Sequence, residues 1–329
     1  MTEVNCSQNT HDRIPQIQAS DLKKFRIAFT VREIEEIFSV DFSPSGKLSL
    51  FNTESWIKVF ELRDDSPNSK DVKVDRYGAK ICKFVDENKF LHTSIKDNTI
   101  RLMNHEKGCY EFYFCGHIKE VHSLSVSKSN PNHFLSGSRD TSVRFWDTKI
   151  SKPQNLMTFK GCSFVAMHPT QRVFAVAYKN ANSIYSIEVH DMKFGLLETF
   201  DIEDCGFEWC DMRYSNNGKM MMVNTLDSLI MIIDMKNGEV INRLRGLNNP
   251  NKIPFQSCFT PDSRYVIGGS ENGVINVWNL KTSEKEFMLK NEQEEMYQKI
   301  EFNPEFMCFA TIGSAFNLWI EDDKSEVTK

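Results

Sequence analysis

Three residues of the chain are of the types that carry out nucleophilic hydrolysis: His117, Ser136 and Asp140. A histidine that is oriented by a carboxylate can take the proton from a serine hydroxyl, and the residue types therefore match a catalytic triad. The sequence around them has no nucleophile elbow, which such a serine usually needs. The alternative is a buried hydrogen-bond chain that includes the indole of Trp146, because buried polar groups must be paired. We favour this structural interpretation, and the sequence leaves open whether Ser136 or Ser138 takes part.

The densest group with metal-ligand chemistry is Cys205, Cys210 and His190. No second cysteine pair lies at a matching distance, whereas zinc sites normally need four ligands. We therefore interpret these cysteines as buried free thiols that pack as small apolar groups. The odd number of 9 scattered cysteines suits a reducing compartment. With no phosphate-binding loop and no other enzyme signature, we predict no metal, no cofactor and no catalytic activity.

A repeat of about 43 residues supplies the elements that must position these side chains. Its clearest copy runs from Gly116-His117 to Trp146-Asp147, the signature of a four-stranded propeller blade. Six other positions correspond to Trp146: Phe60, Met103, His190, Ile233, Trp278 and Trp319. In chain order, the seven positions are separated by 43, 43, 44, 43, 45 and 41 residues. Alternating residues before these positions predict strands with one face in each of two environments.

The sequence thus predicts an all-β fold, a single seven-bladed WD-repeat propeller. The seventh unit ends after its third strand, near Trp319, while an alternating segment at about residues 22–31 precedes the first unit. We expect this N-terminal strand to complete the last blade, because closure leaves no open sheet edge. The predicted organisation is a polar tail at 1–21, the propeller at 22–321 and a polar tail at 322–329.

Length, charge and hydropathy restrict the possible partners. The chain has 329 residues with 40 Lys and Arg against 45 Asp and Glu, which gives a net charge of −5. Direct binding to nucleic acid needs a basic footprint, and we therefore expect none. The longest aliphatic run is far shorter than a membrane span, and we expect no membrane contact.

Binding is the function that remains, because propellers present rings of loops on a rigid scaffold. The turns before the third strands are expected to bring charged residues to one rim: Glu54, Lys96, Arg139, Lys179, Asp227 and Glu271. Lys96, Arg139 and Lys179 are candidates for holding an acidic or phosphorylated peptide. The alternative at each single position is an ordinary solvated charge.

Segments outside the generic blade signature resemble one particular family. They include Leu22-Lys23-Lys24-Phe25-Arg26-Ile27-Ala28, Arg76-Tyr77-Gly78, Glu208-Trp209-Cys210, Phe259-Thr260-Pro261-Asp262-Ser263 and Phe302-Asn303-Pro304-Glu305-Phe306-Met307. In these segments the chain resembles the WD-repeat protein 82 family, from Leu22 to about Asp322. The fourth unit, around 179–182, departs from the family pattern, and residues 1–21 have no recognised counterpart.

The resemblance implies a nuclear, non-catalytic subunit of COMPASS, the complex of a SET-domain methyltransferase that modifies histone H3 lysine 4. It further implies a link to RNA polymerase II through its phosphorylated C-terminal repeats. It also implies a second complex, with a type-one phosphatase and its nuclear targeting subunit, in transcription termination. Divergent rim loops leave open a paralogue that has kept one complex and lost the other.

Two other classes of function remain as alternatives. Substrate receptors of cullin-type ubiquitin ligases carry Trp-Asp-x-Arg at the end of a third strand, and this chain has Trp146-Asp147-Thr148-Lys149. Lysine does not reproduce a bidentate arginine contact, which makes this alternative weaker. An enzyme that uses the propeller channel is weaker still, because no convergent carboxylates or ligands can be assigned.

Overall fold

The chain forms a ring of seven four-stranded antiparallel sheets in the computed structural model. The structure describes residues 16–62, 69–159, 161, 163–170, 172–193, 195–203, 206–290 and 296–321. The predicted all-β propeller is therefore confirmed. The only helix among these residues is the short α1 (Ala19–Lys23), and none of the described helical structure is long and apolar enough to cross a membrane.

The strands follow one another along the chain, blade by blade. The first strand, β1 (Phe25–Arg32), precedes blade one. Blade one contains β2 (Ser39–Phe42), β3 (Leu48–Asn52), β4 (Trp56–Glu61) and β5 (Ser69–Lys73). Blade two contains β6 (Cys82–Phe84), β7 (Lys89–Thr93), β8 (Ile100–Asn104) and β9 (Cys109–Phe114). Blade three contains β10 (Val121–Val126), β11 (His133–Ser138), β12 (Ser142–Asp147) and β13 (Ile150–Thr158). Blade four contains β14 (Phe164–Met167), β15 (Val173–Lys179), β16 (Tyr185–Asp191) and β17 (Gly195–Ile202).

The remaining three blades repeat the pattern. Blade five contains β18 (Trp209–Tyr214), β19 (Met220–Thr225), β20 (Ile230–Asp234) and β21 (Val240–Leu244). Blade six contains β22 (Cys258–Phe259), β23 (Tyr265–Gly269), β24 (Val274–Asn279) and β25 (Glu284–Lys290). Blade seven contains β26 (Tyr297–Phe302), β27 (Cys308–Gly313) and β28 (Ala315–Glu321). All seven positions that the repeat aligns with Trp146 lie in the third strand of their blade, and the repeat register therefore matches the structure.

The N-terminal strand closes the ring, as the sequence predicts. Strand β1 pairs antiparallel with β28, from Phe25 opposite Glu321 to Arg32 opposite Ala315. The strand starts later than the expected boundary at residue 22, because Leu22 belongs to α1. Closure leaves blade seven with four strands in the order β1-β28-β27-β26, and no blade presents an unpaired third strand.

Part of the segment expected to be a tail packs against the ring. Ile17 is 3% exposed and joins the apolar core between blades six and seven. Its backbone N–H donates to Asp262 Oδ2 at 2.9 Å, and its carbonyl accepts from Arg264 Nη1 at 3.4 Å. These contacts fix residues 16–24 on blade six. The rest of the expected tails, residues 1–15 and 322–329, lies outside the described residues.

The hydrophobic core is divided among the interfaces between neighbouring blades. Consecutive residues of a strand point to opposite faces, and they therefore enter different interfaces. Met221 packs in the core shared by blades four and five, whereas Met222 packs in the core shared by blades five and six. Met221 and Met222 thus fill two different cores. First strands contact first strands around the centre, and fourth strands form the exposed perimeter.

Candidate binding face and the blade-three hydrogen-bond chain

The four polar residues of blade three form one continuous hydrogen-bond chain. His117 Nδ1 lies 2.9 Å from Asp140 Oδ2, and His117 Nε2 lies 2.7 Å from Ser136 Oγ. The indole Nε1 of Trp146 donates to the same Ser136 oxygen at 2.8 Å. Ser138 bonds instead to the Lys119 carbonyl. Ser136 is therefore the serine of the chain, which the sequence alone did not decide.

Burial explains why this chain is structural. The side chains of His117 and Asp140 are 1% and 3% exposed, and Ser136 is fully buried. Burial lowers the pKa of His117 and favours the neutral imidazole, although its hydrogen bond to Asp140 acts in the opposite direction. Burial alone would raise the pKa of Asp140, but hydrogen bonds from Ser142 and His117 hold it well below its usual range. Ser136 is 0% exposed, and the chain joins the connection before blade three, through His117, to the third strand, through Trp146.

The equivalent tryptophans of blades six and seven use other acceptors. Trp319 Nε1 donates to Thr311 Oγ1 at 3.1 Å, and Trp278 Nε1 donates to the carbonyl of Arg245 at 3.2 Å. Each of these two buried indole N–H groups therefore has a hydrogen-bond acceptor, but the acceptor differs between the blades. This agrees with the sequence, in which only the third unit carries the full set of residues.

The predicted rim residues lie on one face of the ring. The turns from second to third strand and the connections between blades lie on the same side, which we call the upper face; the opposite side is the lower face. Backbone hydrogen bonds join turns to connections there, such as Ala79 N to Glu54 O at 3.1 Å and Arg139 N to Glu120 O at 2.9 Å. Of the predicted residues, only Glu54 and Lys96 come together, with 4.0 Å between Lys96 Nζ and Glu54 Oε1.

Arg139 forms a cluster that the sequence analysis did not identify. Its Nε lies 2.9 Å from Glu120 Oε2, and Lys80 Nζ is hydrogen-bonded to the other oxygen of the same carboxylate. Burial alone would raise the pKa of Glu120, but Lys80 and Arg139 lower it below its usual value. Lys80 and Glu120 lie in connections between blades, which have no periodic signature. The repeat therefore gave no signal for them.

The other three rim residues interact within their own part of the ring. Asp227 accepts from Lys252 Nζ at 2.8 Å, and Lys179 Nζ lies 5.1 Å from the ring centre of Tyr185. Glu271 accepts from the backbone N–H of Asn251 at 3.2 Å. Asp227 and Glu271 are thus bound by neighbouring residues of the connection between blades five and six, whereas Lys179 contacts its own blade. Lys80 and Arg139, which share Glu120, thus form a compact cationic group at the predicted rim.

A network of charged side chains occupies the first strands around the centre. Arg213 Nη1 donates to Glu301 Oε2 at 2.6 Å, and its Nε donates to Asp211 Oδ2 at 3.1 Å. Lys83 Nζ lies 2.6 Å from Asp41 Oδ1 and 3.6 Å from Glu301 Oε2. Burial would raise the pKa of Glu301, but Arg213 and Lys83 lower it. The charges are paired with one another and connect blades one, two, five and seven.

The cysteine and histidine group considered for metal binding does not converge. Cys210 is half-buried beside the core of blades five and six, and its Sγ lies 3.6 Å from the Phe255 carbonyl. Burial raises the pKa of this thiol to about 12. His190 faces the interface of blades three and four instead, and Cys205 lies outside the described residues. Nowhere in the part of the chain that the structure describes do three His, Cys, Asp or Glu side chains group as metal ligands would.

The blade topology and the hydrogen-bond chain define the class as WD-repeat propellers. The family model "WD domain, G-beta repeat" matches residues 108–147 and 251–279. WD repeat-containing protein 82 of Drosophila melanogaster is 30% identical over 92% of this chain and 96% of its own length. COMPASS component SWD2 of Saccharomyces cerevisiae is 29% identical over 75% of this chain and 84% of its own. Set1 complex component swd2 of Schizosaccharomyces pombe is 25% identical over 75% and 72%.

The similarity to the Drosophila protein extends over nearly the whole ring rather than over isolated repeats. The chain belongs to the WD repeat-containing protein 82 family, as the resemblance in its sequence predicts.

Proposed function

We propose that this chain is a non-catalytic scaffold subunit of a COMPASS-like complex that methylates histone H3 lysine 4. The observation that carries the proposal is its membership of a family whose yeast relatives are named as Set1 and COMPASS components. The fold suits the role, because a closed ring presents loops on a rigid frame. The partner would be the SET-domain methyltransferase subunit, together with other subunits of the complex, and the chain would act in the nucleus.

Two features support binding rather than catalysis as its role. The residues that resemble a triad are enclosed in blade three. The central carboxylates Asp41, Asp211 and Glu301 are paired with Lys83 and Arg213. Reconstitution tests this part: the methyltransferase subunit and this chain should co-elute in size-exclusion chromatography, and this chain alone should not methylate histone H3. Separate elution under conditions where each protein is folded would refute the scaffold role.

The upper face of blades two and three is the proposed site for phosphorylated C-terminal repeats of RNA polymerase II. Lys80 and Arg139 both lie against Glu120, and Lys96, on the turn of blade two, donates to the Asp75 carbonyl. A phosphoserine carries more charge than a carboxylate and has three acceptor oxygens, so it can displace Glu120 from these cations. The complex would thereby be brought to transcribed genes through protein contacts, and no direct contact with nucleic acid is needed.

Charge reversal tests the phosphopeptide site. The double variant Lys96→Glu and Arg139→Glu should bind a phosphoserine repeat peptide about tenfold more weakly or worse, and with less dependence on salt. The matched control is Lys149→Glu and Lys236→Glu, which changes the net charge equally on the lower face, where both residues are exposed. Equal affinities of the two double variants, measured by fluorescence anisotropy, would reject the site.

We also propose a second complex, with the targeting subunit of a nuclear type-one phosphatase, in transcription termination. Its support is the family resemblance, and the same upper face is available to it. Competition tests this: excess phosphatase-targeting subunit should displace the phosphopeptide from the ring if both use blades two and three. Simultaneous binding of both would show that they use different faces.

A further inference from the structure

Blade four differs from the other six blades at three positions on one of its faces. In every blade, the Trp146-like residue lies opposite a residue of the second strand. The first of the three positions lies four residues after that partner, and it is small in the other six blades: Thr53, Ser94, Ser138, Thr225, Ser270 and Gly313. In blade four it is Tyr178. Two places before the Trp146-like position, the other blades carry Lys58, Arg101, Arg144, Met231, Asn276 and Asn317, whereas blade four carries Glu188. At the Trp146-like position itself, blade four carries His190, whereas the other blades carry large apolar residues: Phe60, Met103, Trp146, Ile233, Trp278 and Trp319.

These three substitutions line a cleft between blades three and four. The cleft has a volume of about 550 Å³, and the strand end at Met157, Thr158 and Phe159 forms its opposite wall. The rings of Phe159 and Tyr178 contact each other at one edge of the cleft, with 4.7 Å between their centres. His190 is smaller than an indole, and it stacks on Phe174 with 5.3 Å between the ring centres.

A carboxylate lies among these aromatic rings. Glu188 accepts a hydrogen bond from the Tyr178 hydroxyl at 2.6 Å through Oε1 and one from His190 Nε2 at 2.8 Å through Oε2. The Glu188 side chain is 17% exposed. An ionised carboxylate has about four acceptor sites, and roughly two therefore remain for a ligand. Burial, reinforced by Glu188, raises the pKa of Tyr178 to about 12, and the hydroxyl stays a donor.

The surroundings add negative charge and apolar surface. Asp201 pairs with Ser186 across β16 and β17, and Ser186 lies two places from Glu188 on the same strand face. Leu196 is opposite His190 and is 55% exposed, so it offers an apolar edge. Among the described residues, Glu188 has no ion-pair partner other than His190. A half-buried carboxylate between aromatic rings is complementary to a cation on an aliphatic or planar stem.

We propose that the cleft between blades three and four binds a lysine or arginine side chain from a segment of a partner protein. The stem would lie against the paired rings of Phe159 and Tyr178, and the cationic group would donate to Glu188. The proposal goes beyond the phosphopeptide and methyltransferase contacts, because it concerns another part of the ring and a ligand of opposite charge. It does not depend on which complex contains the chain.

Methionine-methyl NMR of the full chain tests the proposal with three short probes. They are acetylated and amidated Ala-Arg-Ala, Ala-Lys-Ala and Ala-citrulline-Ala, in which citrulline is the neutral analogue of arginine. The Met157 resonance, assigned with Met157→Leu, should shift and saturate with the arginine or the lysine peptide, and should stay unchanged with the citrulline peptide. Equal shifts with the citrulline peptide, or no shift with either cationic peptide, would overturn the proposal.

A pair of variants separates the carboxylate from general surface charge. Glu188→Gln should weaken binding of the cationic peptide at least about tenfold, whereas Glu198→Gln on the exposed part of β17 should bind like the unmodified chain. Unchanged affinity in Glu188→Gln would refute the role of Glu188. If that variant fails to fold, the contrast between arginine and citrulline on the unmodified chain decides. No methyltransferase subunit is present in this assay, and its outcome is therefore independent of the proposed function.

Discussion

Replacing His117 with alanine removes the central link of the blade-three chain. The imidazole joins Asp140 to Ser136, at 2.9 Å and 2.7 Å respectively, and both partners are buried. Asp140 keeps its bonds from Ser142 and from the backbone N–H of Ile118. Ser136 keeps the indole of Trp146 but loses the partner on its other side. The variant therefore leaves each neighbour short of one hydrogen bond.

The expected loss of stability follows from these contacts. A buried group that loses its partner costs about 1–3 kcal/mol, and bonds to charged groups are at the upper end. The ring itself packs edge-on against Trp146, with 6.3 Å between centres, and its removal leaves a small cavity. Together these give a loss of about 3 kcal/mol. For a domain of roughly 300 residues, the unfolding entropy converts this into a decrease of about 5 °C in Tm.

Thermal unfolding followed by circular dichroism measures this effect. The matched control is His133→Ala in the same blade, since the His133 side chain is about one quarter exposed and its side-chain hydrogen-bond partner is the turn residue Asn130, at 3.1 Å. We expect the control to lower Tm by less than about 1 °C. A His117→Ala variant that unfolds at the same temperature as the unmodified chain would refute the structural role of the hydrogen-bond chain.

Three further predictions concern the ring as a whole. Burial lowers the pKa of His92 to about 3 and that of His122 to about 4, below the unfolded value of about 6.5. The folded state then binds fewer protons, so the urea midpoint should fall as pH decreases from 6.5 towards 4, and less steeply in His92→Gln; a flat profile would contradict this. Phe25→Ala should lower the unfolding free energy by about 3–5 kcal/mol, because Phe25 is 1% exposed in the closing blade; a change below about 1 kcal/mol in urea titration would argue against closure by β1. Arg213→Met should lower the unfolding free energy by roughly 2 kcal/mol, which is less than the loss for a fully buried ion pair, because the Arg213 side chain is 19% exposed. Adding Glu301→Gln to this variant should recover part of the loss. If the effects of the two substitutions were simply additive, that would count against a coupled pair.

The sequence predicts the architecture because each blade repeats the same local pattern. The positions aligned with Trp146 recur at nearly constant intervals, and an incomplete seventh unit implies the closing strand. The strand begins at Phe25 rather than near residue 22, because Leu22 belongs to a helical turn in which the Asp21 carboxylate accepts from Gln18 N–H. Local capping of this kind overrides an alternating pattern when the segment is short.

Residues outside the repeat pattern were harder to predict. The turns place Lys96 and Arg139 on the upper face, but Lys80 and Glu120 lie in connections whose length and composition vary between blades. Blade four illustrates a second difficulty. Tyr178 and Glu188 appear in the sequence only as departures from the repeat. The cleft that they line also needs Phe159 of the neighbouring blade, and the register of one blade does not show which residue of the next blade lies opposite.

The central claim, that the chain is a scaffold subunit of a COMPASS-like complex, is tested most directly by tagged purification from nuclear extract with identification of partners by mass spectrometry. The account predicts a SET-domain methyltransferase subunit in near-stoichiometric amount, with histone H3 lysine-4 methylating activity in the eluate and the phosphatase targeting subunit in a separate fraction. Recovery of cullin adaptors without any methyltransferase subunit would contradict it.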